Sequence, residues 1–246
     1  SPTLENCTFT DNSAYESAGG MWNDGSNPTL TDCTFDSNTA DKGGGMYNVN
    51  GSQPMLTDCT FTGNTTYNNG GGMWNYYSNP ILERCAFENN HADINGGGMH
   101  NNESSPSLTN CTFTNNTAAD EGGGMRNGNE SYPTLTECTF TNNSANTGGG
   151  MYSQDSSPTL TNTTVCGNSP DQILGDYTDG GGNTIADVCP WDCPADVNQD
   201  GVVDVNDILA LMGAWGSSGP LGDINDDGTV NVVDLITMLK SWGSCE

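Results

Sequence analysis

One phrase of about 26 residues is written seven times between Ser1 and Asn168. Aligned on its cysteine, it places Cys7, Cys33, Cys59, Cys85, Cys111 and Cys138 at spacings of 26, 26, 26, 26 and 27. Three residues before each cysteine stands a leucine: Leu4, Leu30, Leu56, Leu82, Leu108, Leu135, and Leu160 in the last copy, where Thr163 replaces the cysteine. Two residues after it comes Phe9, Phe35, Phe61, Phe87, Phe113 or Phe140, with Val165 in the last copy. Five after it comes Asn12, Asn38, Asn64, Asn90, Asn116 or Asn143, then Asn168. A Gly-Gly-Met follows, ending at Met21, Met46, Met73, Met99, Met125 and Met151.

A single copy has too few apolar residues to bury a core, so copies must bury one another. Helix is excluded for this region. Gly, Asn, Thr and Pro are spread through every copy, and no 3.6-residue period survives more than a turn. Cys-Thr-Phe-Thr reads as a short strand with alternate residues inward, Gly-Gly-Met-Trp-Asn as a second, and Pro-Thr-Leu as the start of a third. Leucine and cysteine have opposite parity, so a bend must separate them. Each copy is then one rung of a solenoid. The predicted fold class is all-β: a single-stranded parallel β-helix of about seven 26-residue rungs, stacked about 4.8 Å apart.

On that reading each inward column packs on its own kind. Phenylalanine stacks on phenylalanine, and leucine and methionine fill the rest. The asparagine sits where the rung turns and bonds to the equivalent amide one rung away. The glycines allow positive φ at a tight corner. The cysteine column has two readings, a ladder of reduced, inert small hydrophobes or disulfides between adjacent rungs. The latter stretch disulfide geometry at nearly 5 Å between Cβ atoms.

The Phe-x-x-Asn and Gly-Gly-(Gly)-Met motifs resemble the repeats of the chlamydial polymorphic outer-membrane protein family, within the pectin-lyase-like parallel β-helix group. The resemblance covers roughly residues 1–185. It implies surface-exposed adhesins or structural passengers.

Composition shifts after Ile185, and the chain is expected to divide into a repeat domain with its cap, 1–190, and a second module, 191–246. Two acidic segments recur at an offset of 27. Asp196, Asn198, Asp200, Val202, Asp204 and Asp207 occupy positions 1, 3, 5, 7, 9 and 12 of one loop, with Gly201 at 6. Asp223, Asn225, Asp227, Thr229, Asn231 and Asp234 repeat the set, with Gly228 at 6. This is EF-hand spacing with Asp for Glu at the last ligand. Oxygen-only donors suit two Ca²⁺ sites, with Val202 and Thr229 giving carbonyls. Apolar helices are expected over Asn206–Trp215 and Asp234–Trp242. Two loop-helix units without entering helices resemble a type I dockerin over residues 194–243, a small α-helical double EF-hand-type module. Dockerins are calcium-dependent plugs, so the resemblance implies a cohesin-type partner. Before position 12, however, stand Val205 and Asn206, then Val232 and Val233, where cellulosomal dockerins favour Ser/Thr pairs.

Four cysteines lie outside the repeat column. Of the three connectivities open to them, Cys193–Cys245 would tie the ends of the acidic module, and Cys166–Cys189 would close the last rung's cap. Disulfides and calcium both point to an extracellular or cell-surface location. Net charge is −27 with only four basic residues. No nucleic-acid partner is expected and anionic membrane surfaces are poor partners, since both need a cationic footprint. No apolar run is long enough for membrane insertion.

A catalytic role needs clustered carboxylates, or a basic group beside bound calcium. Arg84 and Arg126 occupy different columns, His91 and His100 are the only histidines, and Asp36, Glu83, Glu88 and Glu137 are scattered. No enzyme activity is expected. The column after each methionine, Trp22, Tyr47, Trp74, His100, Arg126 and Tyr152, carries planar groups that could hold a glycan, or simply stabilise the strands as a cross-rung ladder. Trp22, Tyr47, Trp74 and Tyr152 are its aromatic candidates. A Thr-x-Thr face resembling an ice-binding array is interrupted by Asp36, Ala86 and Glu88.

The copy at Ser1 has no polar cap before it, and a bare solenoid end exposes unpaired backbone. The leading expectation is therefore an extracellular structural protein that self-associates head-to-tail into a filament or stalk, stiffened by calcium and coated with glycan. A monomeric surface adhesin docked to a cohesin-type partner is the alternative. A polysaccharide-active β-helix enzyme is the third.

Overall fold

A computed structural model describes residues 1–189, 193–198, 202–217, 222–225 and 227–244. The chain forms two compact units, Ser1–Ile185 and Ala186–Glu246.

The first unit is a parallel β-solenoid. Each full rung carries a leucine strand, a phenylalanine strand and a methionine strand, such as Thr29–Thr31, Thr34–Asp36 and Met46–Val49. Equivalent strands pair in parallel and in register, Leu30 with Leu56, Phe35 with Phe61 and Met46 with Met73. Four rungs add a two-residue strand, Thr39–Ala40, Thr65–Thr66, His91–Ala92 and Thr117–Ala118. Ile173–Leu174 supplies the methionine strand of the seventh copy, and Thr178–Asp179 and Thr184–Ala186 continue the leucine and phenylalanine sheets into a partial further rung.

The parity problem between leucine and cysteine is solved by one residue. The residue before each column cysteine takes a left-handed conformation, Asp32 at φ 51° and Asp58 at φ 54° for example. That kink turns both Leu30 and Cys33 inward, where both are fully buried. The phenylalanine rings stack with centroids 4.5–4.7 Å apart and planes within 1–3°. Parallel rings at that spacing are offset, because flat carbon faces touch at about 3.5–4 Å.

The asparagine column works as anticipated. Asn64 Nδ2 donates to Asn90 Oδ1 and to the Phe35 carbonyl, each at 2.9 Å, and Asn64 N donates to the same Asn90 oxygen. The pattern repeats from Asn12 to Asn168. Two further polar columns had not been anticipated. Asn23, Asn48, Asn75, Asn101 and Asn127 form a second amide ladder two residues after each methionine. Ser52, Ser78, Ser104 and Ser131 each receive a backbone N–H from the rung before.

The glycines differ from expectation. They precede the methionine strand rather than belonging to it. Only the first of each Gly-Gly-Gly has positive φ, Gly43 and Gly70 among them. Its successors are forced by space. A Cβ on Gly45 would lie 2.6 Å from the Gly72 carbonyl oxygen and 2.9 Å from Phe61 Cδ1.

In the second unit α1 spans Val205–Gly213 and α2 spans Val232–Lys240. Both begin before the expected Asn206 and Asp234. Loop position 9 is itself the N-cap, Asp204 or Asn231, and a capping box with position 12 starts the helix one residue later. Leu211 and Met238 face a small core with Val203 and Val230. Val202–Val203 pairs antiparallel with Gly243–Ser244.

Candidate functional site

The two acidic loops are built alike. In the first, Asp207 is fully buried, and its carboxylate accepts N–H groups from Asn198 at 3.0 Å and Asp204 at 2.8 Å. In the second, the buried Asp234 accepts from Ile224 at 2.9 Å, Asn225 at 3.3 Å and Asn231 at 2.8 Å. Burial pushes the Asp234 carboxyl up, but these donors outweigh it and hold the group below its ordinary value. Asp223 accepts from Asp227 and Gly228, and Asn225 Oδ1 also accepts from Asp227. Positions 1, 3 and 5 are thereby wound into one turn, with Gly228 at φ 87°.

Every donor in these loops is oxygen, so their chemistry fits a hard divalent cation such as Ca²⁺. Asp200, and Gly201 beside it, lie outside the described residues. Among the described residues no three carboxylate, imidazole or thiol groups gather into a metal-holding cluster. The position-12 carboxylates are instead satisfied by backbone N–H groups.

The outer faces of the helices carry a duplicated apolar stripe. Val205, Leu209 and Met212 are exposed on α1, and Trp215 follows it. Val232, Ile236 and Leu239 are exposed on α2, and Trp242 follows it. Each member lies 27 residues from its counterpart. Leu209 is the most open, at 66%.

The aromatic column on the solenoid is less accessible than its alternation suggests. Trp22 is 60% exposed and Tyr152 half-buried, but Tyr47 and Trp74 are buried. The cause is the chain ahead of each methionine, which folds back over the side chain that follows it. A Cβ on Gly70 would come within 2.7 Å of Trp74 Cβ. Tyr47 and Trp74 instead join Val49 and Ala18 in a second apolar cluster, and Lys42 Nζ lies 5.5 Å from the Trp74 ring centre. The signal for this was the glycine three residues before Met46 and Met73, Gly43 and Gly70.

The groups weighed for catalysis are held in structural contacts. Arg84 makes a two-pronged pair with Asp58, at 2.7 and 2.9 Å, and also contacts Glu83. Arg126 donates to Glu121 and Gln154. His91 lies between Thr117 and Asp93. His100 is buried, and burial first, then the Arg126 charge, push its pKa well below the ordinary value. A polar cleft of about 440 Å³ lies nearby, lined by Asn95, Asp120, Glu121, Asn146, Thr147, Tyr152 and Leu174.

Of the cysteines, Cys7, Cys33, Cys59, Cys85, Cys111 and Cys138 are free thiols, so the ladder holds no inter-rung disulfides. Cys166, Cys189 and Cys193 are disulfide-bonded. Cys245 lies outside the described residues. Among the described residues no helix is long and apolar enough to cross a membrane.

Residues 23–187 match the family model described as right handed beta helix region. The match spans more than half the chain and coincides with the stacked rungs, so the protein belongs to that family. Comparison with curated proteins finds no match.

Proposed function

We propose that this is a non-catalytic extracellular display protein. Its β-helix, read as akin to the polymorphic outer-membrane repeats, is a rigid rod. Its second unit, read as a dockerin-like module, folds around two calcium ions and attaches the rod to a cohesin-type partner. The observation that carries this reading is the duplicated apolar stripe. Two helices related by one offset of 27 residues each leave valine, a longer aliphatic side chain and tryptophan exposed. Contiguous exposed apolar surface of this kind marks an interaction face. The valines at the strip that in cellulosomal dockerins carries hydroxyls select an apolar counterpart.

Three further observations support the reading. Arg84, Arg126 and His91, three of the groups available for chemistry, are engaged within the rungs. The disulfide-bonded cysteines suit an oxidising compartment. The loop donors are those calcium prefers.

The test is capture of a cohesin-type receptor on immobilised full-length chain, with calcium and with a chelator. Calcium-dependent capture, lost in Leu209→Asp with Ile236→Asp, is the expected result. Equal capture by the double variant would overturn it. Sedimentation of the chain alone reads the head-to-tail alternative, as particles that lengthen with concentration. Release of reducing ends from acidic polysaccharides would reveal an enzyme.

A further inference from the structure

The six free thiols form a regular array inside the solenoid. Each Sγ donates to the carbonyl two residues earlier, at 3.3–3.5 Å, from Cys7 to Glu5 through Cys138 to Thr136. Six identical contacts mean one side-chain rotamer repeated along the column. Neighbouring sulfurs are then separated by the rung spacing, which the phenylalanine centroids put at 4.5–4.7 Å. That is far beyond the S–S bond of about 2.05 Å that a disulfide requires. It matches two metal–sulfur bonds of about 2.3 Å laid end to end, roughly 4.6 Å.

We propose that adjacent thiols of this column, with Cys59–Cys85 and Cys111–Cys138 the fully enclosed pairs, form linear two-coordinate sites for a thiophilic d¹⁰ cation. The spacing selects the ion. Zinc and iron–sulfur clusters need three or four convergent ligands, and among the described residues no such group of three exists. Soft ions that accept two thiolates in line need only neighbouring rungs. The surroundings select the charge state. Cys59, Cys85, Cys111 and Cys138 are buried beside leucines and phenylalanines. A dry apolar site disfavours net charge, and a divalent ion with two thiolates is neutral. On binding, two S–H bonds break, two metal–sulfur bonds form, and two protons leave to solvent. No electron is transferred.

Mercuric ion is the probe, titrated into the full chain from below one equivalent to beyond one ion per free thiol. The expected result is up to three ions per chain, two of the six thiols per ion. Two protons should be released per ion. X-ray absorption should show two sulfurs at about 2.3 Å, with the β-sheet circular dichroism retained and the thermal midpoint raised. The decisive variant is Cys33→Val with Cys85→Val and Cys138→Val, which leaves Cys7, Cys59 and Cys111, no two adjacent. It should show no two-sulfur site. One ion bound per thiol, three or more sulfurs per ion, or uptake only as the sheet spectrum disappears would each overturn the proposal. The wild-type absorption spectrum decides the matter even if the variant fails to fold.

Discussion

Asn64 Nδ2 donates to Asn90 Oδ1 at 2.9 Å, with both side chains fully buried. Asn90 passes the same bond on to Asn116 and donates to the Phe61 carbonyl. Removing one link strands groups on both neighbouring rungs. Each buried polar group left without a partner costs about 1–3 kcal/mol. Asn90→Ala is therefore expected to destabilise the solenoid by about 3 kcal/mol or more, measured by urea unfolding. Asn102→Ala, which loses only an exposed bond to Asn129, should stay within about 0.5 kcal/mol.

Two glycines separate conformation from space. Gly51 has φ 78°, and a Cβ added there would meet no atom within 4 Å. Gly51→Ala is expected to cost about 1–2 kcal/mol, the left-handed penalty alone, and Gly51→Asn less, since asparagine tolerates that region. Gly45 has an ordinary φ but no room, with the Gly72 oxygen 2.6 Å from where its Cβ would sit. Gly45→Ala should cost about 3 kcal/mol by forcing rungs apart, and Gly45→Asn more. Thermal midpoints of the four variants give the order. Equal effects at the two sites would show that space between rungs is not what requires Gly45.

The same contrast explains how much of the fold was legible. Inward columns such as Phe61 and Leu56 announce themselves because each must pack on its own copy, so the repeat period gives the rung and the residue type gives the direction. The kink at Asp58 was required by parity alone. The burial of Tyr47 and Trp74 was not legible from alternation. It arises from chain folded over the outer face, outside the period-2 rule for strands. The second amide ladder at Asn75 was hidden for a related reason. Its residues share a strand with methionine, two positions on, and so face inward with it, yet polar residues on that face look like surface. In the acidic loops the ligand spacing was readable, but helix starts were not, because Asp204 and Asn231 serve at once as loop position and N-cap.

Buried His100 makes the solenoid sensitive to mild acid. Its ring packs edge-on to Trp74, with centroids 5.7 Å apart, and its buried Nδ1 has no hydrogen-bond partner among the described residues. Burial first, and the Arg126 charge second, hold its pKa well below the ordinary 6.5. The unfolded chain takes up a proton below about 6.5, while the folded chain does not. Stability present above that pH is therefore lost on acidification, with a slope of up to about 1.4 kcal/mol per pH unit. His100→Phe should flatten the profile between pH about 6.5 and 5. Asp58, held low by its hydrogen bonds to Arg84, contributes in the same direction only at more acidic pH, below the ordinary carboxylate value of 3.8. An unchanged slope in His100→Phe would show that another group governs this window.

Calcium should act on the second unit alone. Asp234 lies at position 12 of its loop, caps α2 through Asn231, and gathers three backbone N–H groups. A cation bound by these loops would neutralise carboxylates that otherwise repel, and would stabilise the folded unit by mass action. At about ten times the dissociation constant that is about 1.4 kcal/mol per site. Chelation is expected to reduce the helical circular dichroism of α1 and α2, leaving the solenoid's sheet signal and its unfolding midpoint unchanged. Asp223→Ala should abolish one calorimetric site and lower the helical midpoint. Asp234→Ala should do the same and also remove the capping box, so its helix loss persists at saturating calcium. A chelator-insensitive helical signal, with no calorimetric heat of calcium binding, would show that these loops are held by their own backbone hydrogen bonds alone.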